Sequence, residues 1–89
     1  MSADQLVTLR YFAWVREKVG RSEERVALPA GVTTIGELMG WLRTRAPEYA
    51  NAFERAAVIR AAIDQTHVKS SARIAGAREI AFFPPVTGG

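Results

Sequence analysis

The sequence contains no cysteine and a single histidine. The first absence excludes structural disulfides, thiolate metal sites and any nucleophilic or persulfide-bearing thiol belonging to the chain, so any sulfur chemistry must use sulfur brought by another molecule. The second leaves His67 without partners at metal-ligand spacing, and no metal site is expected. No serine-centred or paired-carboxylate motif is present, so side-chain catalysis of the usual kind has no seat. Long apolar runs are missing too: nowhere do apolar residues continue for the ~18 positions of a membrane span. The opening MSADQLVTLR also lacks the basic stretch and apolar run of a leader. A cytoplasmic location is expected. No Ser/Gly/Pro-rich tract or internal repeat interrupts the chain, so neither a linker nor a disordered segment is indicated.

The chain has 89 residues, 48% of them hydrophobic and 24% charged. A chain of that length supplies one apolar core and therefore one domain. The net charge of +3 would permit nucleic-acid binding, but basic residues alternate with acids, as in Arg16-Glu17-Lys18 and Glu23-Glu24-Arg25. That is the pattern of a solvated surface, and no aromatic-interleaved basic run offers a stacking platform for bases.

Hydrophobic periodicity predicts alternating strands and one clear helix. In Leu6 to Phe12, Val7, Leu9 and Tyr11 fall on one side and Thr8, Arg10 and Phe12 on the other, as in a half-buried strand. Glu24 to Leu28 forms a second strand, closed by the Pro29-Ala30-Gly31 turn, with a hairpin as the simplest connection to the first. In TTIGELMGWLRTRAP, Thr34 and Glu37 are spaced as a capping box, and Ile35, Leu38, Met39 and Leu42 make one apolar stripe. Pro47 marks the exit. Gly36 and Gly40 each cost the helix about 1 kcal/mol relative to alanine, so burial of the stripe must hold it. A glycine pair at this spacing either admits a close neighbour or is simply tolerated.

Glu48 to Ala56 is helix-prone and has no assigned role. Ala57 to Ile63 reads as a third strand, Asp64-Gln65 as a turn, THVK as a short fourth strand and Glu79 to Phe83 as the last. Strand, strand, helix, strand, short strand, strand predicts an α+β fold, the β-grasp (ubiquitin-like) arrangement of a mixed sheet with a helix over one face. The first and last strands should then lie side by side and parallel at the centre. Val7, Leu9, Tyr11, Ile80 and Phe82 would face the helix, turning Phe12 and Phe83 to the uncovered face as a docking patch unless a loop or the Glu48 to Ala56 segment covers them.

The end of the chain, Ala81 to Gly89, reads AFFPPVTGG. Pro84 and Pro85 lack backbone donors and fix φ, and Pro84 keeps Phe83 extended, so the sheet stops there and the chain is directed outward. Val86 and Thr87 favour extended backbone, while Gly88 and Gly89 can enter a slot too narrow for a side chain. The expected division is a β-grasp body over residues 1–85 and an extended, flexible tail over 86–89. A carboxylate on such a probe is a poor acyl donor until adenylated. Adenylation makes its carbon attackable, and an incoming sulfur then yields a thiocarboxylate.

YFAWVRE, LPAGVTTIGELMGWL, AAIDQTHV and above all EIAFFPPVTGG resemble the small sulfur-carrier subunits of molybdopterin synthase, over most of the length. The resemblance implies that Gly89 carries the reactive carboxylate, adenylated with ATP by an E1-like partner and converted to a thiocarboxylate. It implies that Pro85, Val86, Thr87 and Gly88 occupy a channel of the large synthase subunit. There sulfur would pass to a cyclic pyranopterin precursor that the chain meets only within the complex. Phe12, His67 and Phe83 match docking positions of that family. No cofactor bound by the chain itself, no nucleic acid and no membrane partner is implied. Departures are His67 in place of a commonly apolar residue, Asp64 where asparagine is frequent, and Arg78 in place of an acid in Gly76 to Glu79. The remaining readings are a sulfur carrier for another pathway, such as that of the thiamine thiazole, and a ubiquitin-like modifier joined to lysines.

Overall fold

A computed structural model describes residues 5–85. Its strands are β1 (Gln5–Tyr11), β2 (Glu23–Leu28), β3 (Arg60–Ile63), β4 (Thr66–Val68) and β5 (Glu79–Phe83). Its helices are α1 (Ala13–Val19), α2 (Ile35–Arg43) and α3 (Pro47–Ala52), with a single 3₁₀ turn at Ala56–Val58. The sheet order is β2-β1-β5-β3-β4. β1 and β5 are parallel, with Leu9 beside Ile80 and Tyr11 beside Phe82, and the other neighbours are antiparallel. This is the β-grasp arrangement expected from the element order. None of the helices among the described residues is long and apolar enough to cross a membrane.

Alternation along the strands sends Val7, Leu9, Tyr11, Ile80 and Phe82 into the core, each no more than 1% exposed. They meet Ile35, Leu38, Met39 and Leu42, the whole stripe of α2 predicted from its spacing, together with Phe53 and Ile74. Burial of each large side chain contributes roughly 1.5–3 kcal/mol, which offsets the glycines in α2.

The cap of α2 is reciprocal, with one displacement. Thr34 Oγ1 accepts from the Glu37 N–H at 3.1 Å, while the Glu37 carboxylate reaches past Thr34 to the Thr33 N–H and hydroxyl, both at 2.7 Å. Further N–H groups of the first turn are taken by loop carbonyls, Ile35 to Ala72 at 3.0 Å and Gly36 to Ser70 at 2.9 Å. A Cβ at Gly36 would lie 3.4 Å from the Ser70 carbonyl, at the limit of ordinary contact, whereas Gly40 faces open space and is merely tolerated.

Two expectations are corrected and a third is extended. β1 and β2 are antiparallel neighbours, but α1 connects them instead of a simple hairpin loop. Val15 and Val19 are buried one turn apart on α1, and Gly20, at φ 92°, closes the helix through its N–H to the Arg16 carbonyl. Pro47 does follow the end of α2 at Arg43, and it also opens α3, where its missing N–H costs no hydrogen bond. The third strand starts at Arg60, because Ala57 and Val58 belong to the 3₁₀ turn.

The Asp64-Gln65 turn is observed, with left-handed φ at both positions (48° and 72°), as a two-residue hairpin requires. Asp64 Oδ1 accepts from the N–H groups of Arg78 (3.1 Å) and Glu79 (2.9 Å), and its own N–H donates to the Glu79 carbonyl at 2.9 Å. The departure at Asp64 thus has a structural use: its carboxylate fixes the β3–β4 turn against the start of β5.

Candidate functional site

The ladder registers leave one face of the sheet uncovered. Thr8 and Arg10 of β1, Glu79, Ala81 and Phe83 of β5, Arg60 and Ala62 of β3 and His67 of β4 share it. Helix α3, the segment that could have covered this face, instead buries Tyr49 and Ala52 in the core on the other side.

Phe83 is the last residue of β5, half-buried and paired with Arg60. Its ring lies 5.1 Å from that of His67, centroid to centroid, at 47°. His67 is exposed and sits opposite the small Ala62, which leaves room for the two rings to meet over the sheet. Arg10 extends across the same face, pairing with Glu79 at 3.2 Å and Glu23 at 3.7 Å.

Phe12 is placed differently from its expected position at the end of a strand. β1 stops at Tyr11, and Phe12 is the N-cap of α1: its N–H donates to the Phe82 carbonyl at 3.0 Å, and its own carbonyl accepts from Val15. Phe12 is 39% exposed, with the Arg10 guanidinium 5.3 Å from its ring centroid. Phe12 is thus tied by its backbone to the end of β5, but no ring contact joins it to Phe83 among the described residues. The structure brings the rings of His67 and Phe83 together, and joins Phe12 to β5 through its backbone alone.

Beneath the end of β5 lies a polar anchor that sequence reading missed. Glu24 Oε2 accepts from the Tyr11 hydroxyl at 2.8 Å and the Tyr49 hydroxyl at 2.6 Å, while Arg21 and Arg45 each approach its carboxylate to 3.3 Å. Its side chain is only 7% exposed. Burial alone would raise its pKa, but the hydrogen bonds from Tyr49 and Tyr11 and the charges of Arg45 and Arg21 outweigh it and hold the carboxyl below the ordinary range. Burial and the same carboxylate push the Tyr11 and Tyr49 hydroxyls up. Tyr11 also stacks on Phe82 with centroids 6.3 Å apart. The anchor therefore fixes the strand that delivers Phe83 and the prolines. The one available signal was the alternation of β2, which puts Glu24 on the core side with Val26 and Leu28.

Pro84 and Pro85 follow β5 and are half-buried. Val86, Thr87, Gly88 and Gly89, the expected tail, lie outside the described residues. Among the described residues no group of three or more His, Asp or Glu side chains could hold a metal ion.

Three comparisons bear on this arrangement. The chain matches the ThiS family over residues 9–89. It is 36% identical over 84 residues to the molybdopterin synthase sulfur carrier subunit of Escherichia coli K12, covering 94% of this chain and 100% of that protein. Among solved structures, SAMP1 of Haloferax volcanii superposes with a TM-score of 0.70 at 24% identity, covering 96% of this chain and 100% of that one. A putative molybdopterin converting factor subunit 1 from Pyrococcus furiosus superposes with a TM-score of 0.67 at 22% identity, covering 91% and 98%. These two likenesses show the shared fold.

Proposed function

The chain belongs to the ThiS family, and from that premise we propose that it is the sulfur carrier of molybdenum-cofactor synthesis, the small subunit of a molybdopterin synthase. The observation that carries this reading is the 36% identity to a sulfur carrier of that synthase along that protein's full length. The geometry supports it. β5 is locked between β1 and β3, ends on Phe83 in the uncovered face, and hands the chain to Pro84 and Pro85 immediately before Val86 to Gly89.

In this reading the Gly89 carboxylate attacks the α-phosphate of ATP on an E1-like adenylating partner, releasing pyrophosphate. A sulfur nucleophile then displaces AMP from the acyl carbon and leaves a thiocarboxylate. The chain holds no thiol that could intercept the acyl group. The body docks on the large synthase subunit through Phe83, His67 and Phe12, while Pro85 to Gly88 thread its channel so that sulfur reaches the pterin precursor. No cofactor is bound by the carrier, ATP being used by the activating partner, and the reactions take place in the cytoplasm.

Intact-mass measurement after incubation with ATP, an adenylating enzyme and a sulfur donor tests the reading. Replacement of one oxygen by sulfur at the C-terminus is the expected result. Lysine-linked conjugates with no thiocarboxylate would overturn it in favour of a protein modifier.

A further inference from the structure

At the open end of the β3–β4 hairpin, Arg60, His67 and Lys69 line one surface depression of about 400 Å³, together with Ala61 and Val68. All three basic side chains are exposed, and no acid contributes to the lining. The ladder closes with Ala61 opposite Val68, and Arg60 and Lys69 flank that last pair at the open end of the hairpin. Arg10 of β1 is matched by Glu23 and Glu79, and Arg21 and Arg45 beside the sheet by Glu24, whereas Arg25 of β2 stands alone, away from this depression, with no ion pair among the described residues. None of these ion pairs involves Arg60, His67 or Lys69. The depression also adjoins the anchor of the proposed docking face: Arg60 is the ladder partner of Phe83, and His67 is the ring against it. An unmatched basic cluster beside an aromatic anchor complements a surface in which acids surround an apolar socket.

We propose that the Arg60, His67 and Lys69 cluster receives acidic side chains of the large synthase subunit, flanking the socket that takes Phe83. The proposal rests on the sulfur-carrier reading and adds to it the charge of the partner's surface and the residues that select for it. Arg60 and Lys69 supply full charges and His67 an N–H donor. Because the pairs form at an interface rim, they act on encounter rate and on discrimination between partners as well as on affinity.

Calorimetric titration of the full-length carrier into the large subunit tests this with Arg60→Glu/Lys69→Glu, an exposed pair whose reversal leaves the core untouched. A matched control, Arg16→Glu/Arg43→Glu on α1 and α2, makes the same change in net charge. The cluster variant should bind more than about tenfold more weakly at low ionic strength and the control less than about threefold. The gap should close near about 0.5 M salt, where screening is complete within a few ångströms. Equal binding by the cluster variant, or equal losses in both variants, overturns the proposal while leaving the sulfur-carrier reading intact. Failure of the wild-type chain to bind the large subunit overturns both. Saturable binding of inorganic phosphate to the carrier alone, abolished by the same pair of substitutions, would make the depression a small-anion site and also overturn it.

Discussion

Glu24 shows how one side chain can hold a functional edge in place. Its carboxylate is nearly out of solvent and satisfies two tyrosine hydroxyls and two guanidinium groups drawn from β1, α3 and the segments beside them. Glu24→Ala leaves those groups without their acceptor, and a loss of about 2–4 kcal/mol in denaturant unfolding is expected. The acid limb follows from the same contacts. The folded-state pKa is depressed, so the stabilisation is complete above the unfolded glutamate value of ~4.3 and disappears as pH falls through the folded value. Melting curves from pH 7 to 3 should show that loss in the wild type and a shallower decline in Glu24→Gln; identical limbs would show that the carboxylate is not the group titrating. Phe83→Ala belongs to the same scale. A half-buried ring at a strand end should cost binding to the large subunit about 1–3 kcal/mol with little change in thermal midpoint, and equal affinity would place Phe83 outside the interface.

Among the elements, α2 was legible and α1 was not. In α2 the cap, the stripe and the length all point the same way, and every predicted apolar position is buried. Its Gly40 is an exposed interior position facing open space, so Gly40→Ala should raise the thermal midpoint by roughly 3–6 °C. Gly36→Ala should gain less, because Ser70 sits against it; the reverse order would refute the distinction. Helix α1 shows only one i, i+4 apolar pair and no side-chain cap. Its clearest signal, Gly20 in the left-handed region one step past the end, reads equally well as a loop glycine. Pro47 told only half its role for a related reason, since a proline after one helix and a proline opening the next look the same until the second helix is seen. At the site, Phe83 and its facing could be read from alternation within β5. The contact of Phe83 with His67 depends on pairing between strands, and Glu24 with Tyr49 on packing between β2 and α3, so neither pattern within one segment reveals them. Arg60 and Lys69 come to flank one end of the ladder only through the register of β3 and β4.

At the level of the whole molecule, the proposed function requires a folded body and a reactive end that are separable in energy. Among the described residues the last strand ends at Phe83. If Gly89 is the residue that carries the sulfur, its deletion should abolish sulfur loading in the mass assay and leave the thermal midpoint unchanged within about 1 °C, since chain termini ordinarily tolerate change. A large drop in that midpoint would mean the terminus is structural. Gly88→Phe should likewise fold normally and load sulfur, yet fail to transfer it, because the ring cannot follow the channel; full transfer would refute a narrow passage.

The position of β5 carries a consequence for biosynthesis. The strand at the centre of the sheet is translated last, and its parallel partner β1 is translated first. While the ribosome is still making residues 79–83, the nascent polypeptide has a gap where the middle of its sheet belongs, and cooperative closure must wait until they are made. A product terminated before them lacks the centre of its hydrophobic interior and Phe83 on the uncovered face, and remains a substrate for proteolysis. Folding therefore acts as an inspection of translation, closing only on molecules synthesised through β5.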